Sequence, residues 1–286
     1  MEIKNVGVVG CGLMGRGIAE VCAKAGYDVV ISEVNQELLD KGLAAIDTSL
    51  TMAVRRGKAT EADKAATLGR IKGTLKTENF KDCDLVIEAA IENLELKKKI
   101  FTDLDKICPK HAILASNTSC LSVIDMAAVT QRQDKVLGMH FFNPVPVMRL
   151  LELVRTIVTS DETLNTAKSF GQSIGKAVVT APDVPGFIVN RLLLPFLMEA
   201  VRLLESGMVT KEDIDQAVVL GLNHPMGPIT LADYVGLDTI HFICNAMYEE
   251  FKDPRFASPI LLKKMTTAGQ FGRKSGKGFY DHSKQT

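Results

Sequence analysis

In the first part of the chain, short apolar runs alternate with stretches that have the spacing of an amphipathic helix. The run at residues 6–9 is uniformly apolar and predicts a strand that is buried on both faces. Helical spacing follows over residues 15–25 and ends at Gly26, and residues 29–31 predict the second strand. This succession of strand, helix and strand is typical of βαβ units.

Two more helices are predicted before the next apolar run. Residues 36–56 have helical spacing, and Gly57 suits the C-cap of that helix. Thr60 precedes Asp63 by three residues, which is the spacing of a capping box at a helix start. We therefore expect a helical hairpin inserted between strands of the sheet.

Later apolar runs predict further strands, and the chain then becomes helical almost throughout. The strand-like runs lie at residues 85–89, 113–115, 136–139, 150–154 and 177–179. After a break rich in proline around Pro182, helical spacing covers residues 187–206, 211–220, 228–235, 238–251 and 259–268. We predict an α/β domain over residues 1–182 and an all-α domain over residues 183–286.

Composition and charge argue against several classes of protein. The 286 residues are 46% hydrophobic and 24% charged, and Lys+Arg and Asp+Glu both total 34. A formal net charge of zero gives no general attraction to nucleic acid or to an anionic membrane. The most apolar stretch, residues 187–201, is interrupted by Arg191 and Pro195, so no membrane span is expected. No basic stretch followed by an apolar run precedes Val6, so no signal peptide is expected either.

Six cysteines are scattered along the chain without the spacing of a redox motif. They are Cys11, Cys22, Cys83, Cys108, Cys120 and Cys244. In a chain of this length we expect them to be reduced, which favours a cytoplasmic location. No Cys/His cluster has ligand spacing, so no metal is expected.

A glycine-rich string follows the first predicted strand. It reads Gly10-Cys11-Gly12-Leu13-Met14-Gly15, a G-x-G-x-x-G pattern. Alone this pattern is weak evidence, but here it joins a buried strand to a helix, and Glu33 lies eighteen residues beyond Gly15. That context predicts a Rossmann-type dinucleotide site, in which the glycines admit a pyrophosphate and the acid binds a ribose.

Glu33 also indicates which dinucleotide binds. A carboxylate accepts the ribose hydroxyls and would repel a 2′-phosphate. The residues that follow, Val34, Asn35 and Gln36, supply no cation for NADP. NAD is therefore the expected cofactor, and FAD stays the alternative because flavoenzymes use the same glycine string.

One of the five histidines lies in a setting suited to proton transfer. His140 follows an apolar run, and a turn centred on Pro146 would place Glu152 opposite it in an antiparallel pair. Residues paired in this way share one face, with Cβ atoms about 4.5–5.5 Å apart, so the carboxylate can orient the imidazole. The alternative is a buried His–Glu pair with a purely structural role.

Two further polar segments are candidates for ligand contacts. Residues 116–119, Ser-Asn-Thr-Ser, follow a predicted strand, and open parallel sheets bind ligands beyond the carboxyl ends of their strands. Helix capping by Thr118 or Ser119 is the alternative. Asn190 lies among apolar residues of a predicted helix, where a buried amide needs partners. It either bonds neighbouring backbone or faces a cleft and holds substrate.

Four motifs together resemble one family. They are Ser116-Asn117-Thr118-Ser119, His140-Phe141-Phe142-Asn143-Pro144, Pro185-Gly186-Phe187-Ile188-Val189-Asn190-Arg191 and Gly276-Lys277-Gly278-Phe279-Tyr280. The chain resembles the 3-hydroxyacyl-CoA dehydrogenases over essentially its whole length, and most closely the single-function bacterial 3-hydroxybutyryl-CoA dehydrogenases. The resemblance implies an NAD-dependent oxidoreductase that interconverts a (3S)-3-hydroxyacyl-CoA and a 3-ketoacyl-CoA, such as 3-hydroxybutyryl-CoA and acetoacetyl-CoA.

The resemblance also implies roles for individual residues. His140 would be the general acid/base, with Glu152 as its partner. Ser119 and Asn190 would contact the substrate. The NAD site would include Gly10, Gly12, Leu13, Met14, Gly15, Glu33, Glu92, Lys97, Ser119, Asn143 and Lys274. A homodimer is implied as well, with the helical domain forming most of its interface.

Ser49 and Arg56 fall where the family contacts coenzyme A. They are seven residues apart, so on a helix both side chains would share a face, roughly 10 Å apart at about 1.5 Å rise per residue. For Arg56 the alternative is a solvated helix end, where a cation also suits the helix dipole.

Two other functions stay open at this point. A non-catalytic NAD-binding protein on the same scaffold would need neither His140 nor Glu152, and a turnover assay separates it from an enzyme. A hydroxyacid dehydrogenase with a lysine acid/base would need a lysine in an equivalent apolar setting, and none is evident.

Overall fold

The chain folds as two compact units, Met1–Asp183 and Val184–Thr286. A computed structural model gives the fold and describes residues 2–283. Within these residues no helix combines the length and the apolar character needed to cross a membrane. The same range contains no group of three His, Cys, Asp or Glu side chains placed to hold a metal ion. The six cysteines are all buried, and none forms a disulfide.

One sheet of eight strands, all within the described residues, organises the first unit. The strands are β1 (Asn5–Val9), β2 (Asp28–Ser32), β3 (Ile71–Thr74), β4 (Leu85–Glu88), β5 (Ile113–Ser116), β6 (Val136–Phe141), β7 (Leu150–Arg155) and β8 (Ala177–Pro182). Their order across the sheet is β3-β2-β1-β4-β5-β6-β7-β8, and neighbours are parallel except for the antiparallel pair β6 and β7. The order from β3 to β6 is that of a doubly wound dinucleotide fold, which confirms the Rossmann-type prediction.

Six α-helices accompany the sheet within the described part of the first unit. They are α1 (Leu13–Lys24), α2 (Gln36–Arg55), α3 (Glu61–Gly69), α4 (Leu94–Ile107), α5 (Val123–Ala127) and α6 (Asp161–Ser173). The capping box at the start of α3 is confirmed, since Thr60 Oγ1 accepts from Asp63 N and Asp63 Oδ2 accepts from Thr60 N. Because α2 and α3 stand between β2 and β3, the inserted helical hairpin is confirmed too.

Strand β3 was not predicted from the pattern. Its four residues, Ile-Lys-Gly-Thr, have only one buried position, because β3 is the edge strand of the sheet. An edge strand pairs on one side only and needs no continuous apolar run. By contrast, Val6 and Val8 of β1 are fully buried, as their apolar run predicted.

The second unit is helical, as predicted. Its helices are α7 (Val189–Glu205), α8 (Lys211–Leu222), α9 (Pro228–Val235), α10 (Leu237–Phe251) and α11 (Ile260–Thr267). Two buried acids, Asp215 on α8 and Asp233 on α9, bind the chain around Tyr280. These hydrogen bonds hold the C-terminal segment against α8 and α9.

Candidate active site

The glycine string runs from the carboxyl end of β1 into the first turn of α1. Gly10 has a φ of +96°, and a Cβ there would lie 2.8 Å from the carbonyl oxygen of Ala89. A Cβ at Gly15 would lie 1.8 Å from Gly10 O, so both positions require glycine. A Cβ at Gly12 would meet no atom within 4 Å, and no side chain of the described residues caps α1. The first N–H groups of this helix are therefore accessible to a pyrophosphate.

Glu33 follows β2 and lies beside this glycine string. Its Oε2 accepts the N–H of Cys11 at 2.9 Å, and its Oε1 accepts the N–H of Val34 at 2.8 Å. Each carboxylate oxygen retains acceptor capacity for a ribose hydroxyl. Burial raises the pKa of the Cys11 thiol to about 11, so Cys11 is a neutral part of the loop near pH 7. The residues present thus fit an adenine dinucleotide with an unphosphorylated ribose.

His140 and Glu152 face each other across β6 and β7, and the predicted register is confirmed. The carboxylate Oε2 of Glu152 accepts from Nδ1 of His140 at 2.7 Å. Both side chains are buried, so the pair is shielded from solvent. The ring of Phe142 packs beside the imidazole, with ring centroids 4.5 Å apart. These contacts leave Nε2 of His140 turned towards the loop that follows β5.

That loop brings Ser119 to the imidazole. Ser119 Oγ lies 3.2 Å from Nε2 of His140. The helix-capping explanation for Thr118 and Ser119 is wrong, because α5 begins after Ser122, whose side chain caps it. Thr118 Oγ1 instead accepts the N–H of Leu121 at 2.9 Å and stabilises the turn. The structure therefore joins Ser119, His140 and Glu152 in one line of hydrogen bonds.

Asn117 secures the same loop to the end of β6, a contact that the sequence did not predict. Its backbone N–H donates to Glu88 O at 2.7 Å, and its Oδ1 accepts the N–H of Phe141 at 2.9 Å. The side chain thus links the ends of β5 and β6, beside His140. An amide directly after a buried strand was the available signal, since such an amide must find partners.

A buried ionic cluster behind the loop was also missed. Lys97, on the first turn of α4, lies 2.6 Å from Glu88 Oε1 and 3.3 Å from Glu92 Oε2. Glu92 accepts in turn from the loop, through the Thr118 hydroxyl at 2.6 Å and the Ser119 N–H at 2.8 Å. Lys97 is thus a buried lysine that the sequence did not reveal, but it lies between two carboxylates rather than in an apolar setting. A glutamate within the strand-like run 85–89 was the available signal, because a buried carboxylate requires a cation or several donors.

The family follows from comparison with known proteins. The sequence model of the 3-hydroxyacyl-CoA dehydrogenase NAD binding domain matches residues 5–184, and that of the family's C-terminal domain matches residues 186–282. The chain belongs to the 3-hydroxyacyl-CoA dehydrogenase family. The expected family and its NAD cofactor are thereby confirmed.

Individual relatives of this 3-hydroxyacyl-CoA dehydrogenase family member match over nearly the whole chain. A 3-hydroxybutyryl-CoA dehydrogenase of Mycobacterium tuberculosis is 48% identical, covering 98% of this chain and 99% of that protein. One from Clostridioides difficile is 45% identical, covering 98% of this chain and all of that protein. The crystal structure of (S)-3-hydroxybutyryl-CoA dehydrogenase from Ralstonia eutropha superposes with a TM-score of 0.95 at 45% identity, covering 98% and 99% of the two chains.

The structure gives the surroundings of the other predicted site residues of this dehydrogenase, each within its own unit. In the first unit, Asn143 is exposed just after β6, and Ser49 is half-buried on α2. Helix α2 ends at Arg55, so Arg56 is the exposed C-cap residue rather than part of the helix. In the second unit, Asn190 is half-buried at the start of α7. Lys274 donates to Asp238 Oδ2 at 2.6 Å in that unit.

Proposed function

We propose that the chain interconverts a (3S)-3-hydroxyacyl-CoA and a 3-ketoacyl-CoA with NAD(H), with 3-hydroxybutyryl-CoA and acetoacetyl-CoA as the preferred pair. The observation that carries the proposal is the position of His140. Its Nδ1 lies 2.7 Å from Glu152, and its Nε2 lies 3.2 Å from the Ser119 hydroxyl. This group lies on the sheet that carries the glycine string. The relatives from M. tuberculosis and C. difficile are named for the four-carbon substrate.

His140 is the general acid/base of this reaction. Since Nδ1 is engaged by Glu152, the proton of the substrate oxygen at C3 passes through Nε2. Bound NAD supplies or accepts the hydride at C3. For reduction, the imidazolium gives its Nε2 proton to the C3 oxygen, and for oxidation the neutral ring takes that proton back. The carboxylate of Glu152 orients the ring and stabilises its cationic form.

Ser119 and Asn190 hold the substrate. The Ser119 hydroxyl lies close enough to Nε2 of His140 for one oxygen atom to contact both, and this suits the C3 oxygen. Asn190 supplies an amide that positions the acyl-CoA. Ser49 and Arg56 contact coenzyme A, where the exposed guanidinium of Arg56 suits a phosphate.

The NAD site comprises the glycine string and the residues beside it. The accessible start of α1 binds the pyrophosphate, and Glu33 binds the adenosine ribose. The remaining contributors are Leu13, Met14, Glu92, Lys97, Ser119, Asn143 and Lys274. We assign the NAD-binding domain to residues 1–182 and the helical substrate and dimerisation domain to residues 183–286.

The active form is a homodimer. Large apolar side chains are exposed in the second unit, among them Leu192, Met208 and Leu220. These side chains are available to be buried between two protomers. A cytoplasmic location agrees with six buried cysteines, none of which is in a disulfide.

Steady-state kinetics with acetoacetyl-CoA and longer 3-ketoacyl-CoAs, using NADH and NADPH, tests the proposal. We expect the highest kcat/KM for acetoacetyl-CoA with NADH. Replacing Glu33 by Ala together with Val34→Arg should weaken NADH use and improve NADPH use, since the repelling carboxylate is exchanged for a cation. A wild-type preference for NADPH, or no reduction of any 3-ketoacyl-CoA, would contradict the proposal.

A further inference from the structure

Lys97 is buried behind the loop that carries Ser119. Its side chain is 1% exposed, yet its ammonium contacts two carboxylates, Glu88 at 2.6 Å and Glu92 at 3.3 Å. A buried cation of this kind is tolerated only when it is paired. The ammonium is thus committed to protein groups.

Glu88 is the fixed end of this cluster. Its side chain is fully buried at the end of β4. Besides Lys97, it accepts from the Ser116 hydroxyl at 2.6 Å and from the Ala90 N–H at 2.7 Å. These donors belong to β5, to the segment after β4 and to α4, so Glu88 holds Lys97 in one place.

Glu92 is the other carboxylate of the cluster, and it contacts the loop that carries Ser119 directly. Its side chain is 27% exposed, so without contacts to protein groups it would sample several rotamers in water. Lys97 holds Oε2, and Oε1 accepts from the Thr118 hydroxyl and from the Ser119 N–H. Hydrogen bonds to a carboxylate are stronger than those between neutral groups, so this carboxylate defines the loop's position.

We propose that Glu88 and Lys97 are positioning residues for the reaction. Acting through Glu92, they hold the Ser119 backbone, and thereby its hydroxyl, against Nε2 of His140. Lys97 therefore contributes to the NAD site as the support of Glu92. The inference rests on the proposed function only for the roles of Ser119 and His140.

Hydrogen–deuterium exchange of residues 116–122 tests the anchor without any turnover. We expect the Ser119 amide to exchange about tenfold faster in Lys97→Met and in Glu88→Gln. Lys97→Met leaves the buried Glu88 carboxylate without its cation, and Glu88→Gln leaves the Lys97 ammonium with Glu92 alone, so either variant can fail to fold. The double variant Glu88→Gln, Lys97→Met leaves no such charge and should show the same faster exchange.

A matched control lies on the same helix. Asp105 of α4 pairs with Arg132 at 2.7 Å, and the two side chains are 11% and 8% exposed. Asp105→Asn should leave exchange of residues 116–122 unchanged. Unchanged exchange in the Lys97→Met and double variants would overturn the inference, and so would an equal increase in Asp105→Asn.

A double-mutant cycle then ties the anchor to Ser119. In the wild type, Lys97→Met should lower kcat about tenfold and change the KM for NADH much less. In the Ser119→Ala background, the same substitution should lower kcat less than about twofold. Asp105→Asn should leave kcat unchanged in both backgrounds. Losses that multiply in the combined variant would overturn the inference. A wild type without turnover would refute the proposed function, and the exchange experiment alone would then decide the anchor.

Discussion

Each unit contains a histidine–carboxylate pair with little exposure to solvent, and the two pairs have similar geometry but different surroundings. In the first unit, His140 Nδ1 lies 2.7 Å from Glu152 Oε2, with side-chain exposures of 5% and 0%. In the second, His282 Nε2 lies 3.0 Å from Asp233 Oδ2, with exposures of 12% and 0%. Distance and burial alone do not separate the pair for which we propose a catalytic role from the other pair.

The remaining contacts of each pair do separate them. Asp233 also accepts the N–H groups of Phe279 and Tyr280, at 2.9 and 2.8 Å, so it fastens the C-terminal segment to α9. Nδ1 of His282 is buried and has no hydrogen-bond partner within the described residues. His140 instead turns Nε2 towards the hydroxyl of Ser119, beyond the carboxyl end of β5. This difference supports the proposed proton transfer at His140, because its Nε2 faces the loop that carries Ser119, whereas the ring of His282 is enclosed by its own chain.

The largest expected difference is in turnover. His140→Gln should lower kcat by about 10²–10⁴-fold, the usual contribution of a general acid/base, while NADH affinity is retained. His282→Gln should change kcat less than about twofold, because Asp233, its partner, binds only the His282 ring and backbone N–H groups of the C-terminal segment. Steady-state kinetics and NADH fluorescence titration measure both. Near-normal kcat in His140→Gln would remove this residue from the mechanism.

The free energy of unfolding should depend more on the second pair than on the first. Asp233→Asn loses the charge that three donors share, and we expect a loss of about 2–4 kcal/mol in the free energy of unfolding. The matched control is Asp281→Asn, an exposed carboxylate in the same segment, expected to change stability within about 0.5 kcal/mol. Urea denaturation followed by circular dichroism compares them. Equal stability of the two variants would contradict the structural role of Asp233.

Glu152→Gln tests whether the first pair serves the chemistry. Glutamine keeps the shape and one acceptor but removes the charge beside the ring, so kcat should fall about tenfold to a hundredfold. The melting temperature can move in either direction, since a buried ion pair adds little net stability. Glu162→Gln, an exposed change on α6, is the control and should retain wild-type kcat. A folded Glu152→Gln enzyme with normal kcat would make Glu152 a structural partner only.

The smallest expected effect is on how stability changes with pH, through the contact of Tyr280 with Asp215. Burial, with the hydrogen bond to Asp215, raises the pKa of Tyr280 above the usual range. A raised pKa in the folded state stabilises the fold below the unfolded value, about pH 10, and this stability is lost as the pH rises further. The melting temperature should therefore fall more steeply in the wild type than in Tyr280→Phe between about pH 9 and pH 11. Parallel curves would show that the fold does not raise the pKa of Tyr280.

Much of the first unit could be predicted because its signals are local. The buried run of β1, the capping box of α3 and the glycine string each depend on residues within one element or turn. The pairing of His140 with Glu152 was also predictable, since a hairpin register depends only on where the turn is centred. Side-chain periods and turn chemistry are properties of neighbouring residues, so the sequence by itself determined these features.

Contacts between distant residues were decided only by the tertiary structure. The Ser116 hydroxyl meets Glu88 across 28 residues, and the Ser119 N–H meets Glu92 across 27. The same holds for Ser119, which could have been a helix cap until the fold placed it against His140, and for His282, whose partner Asp233 is 49 residues away. A polar residue in a sequence shows that it needs a partner. Which partner it meets depends on how strands and helices pack, because that packing brings together groups that no local pattern connects.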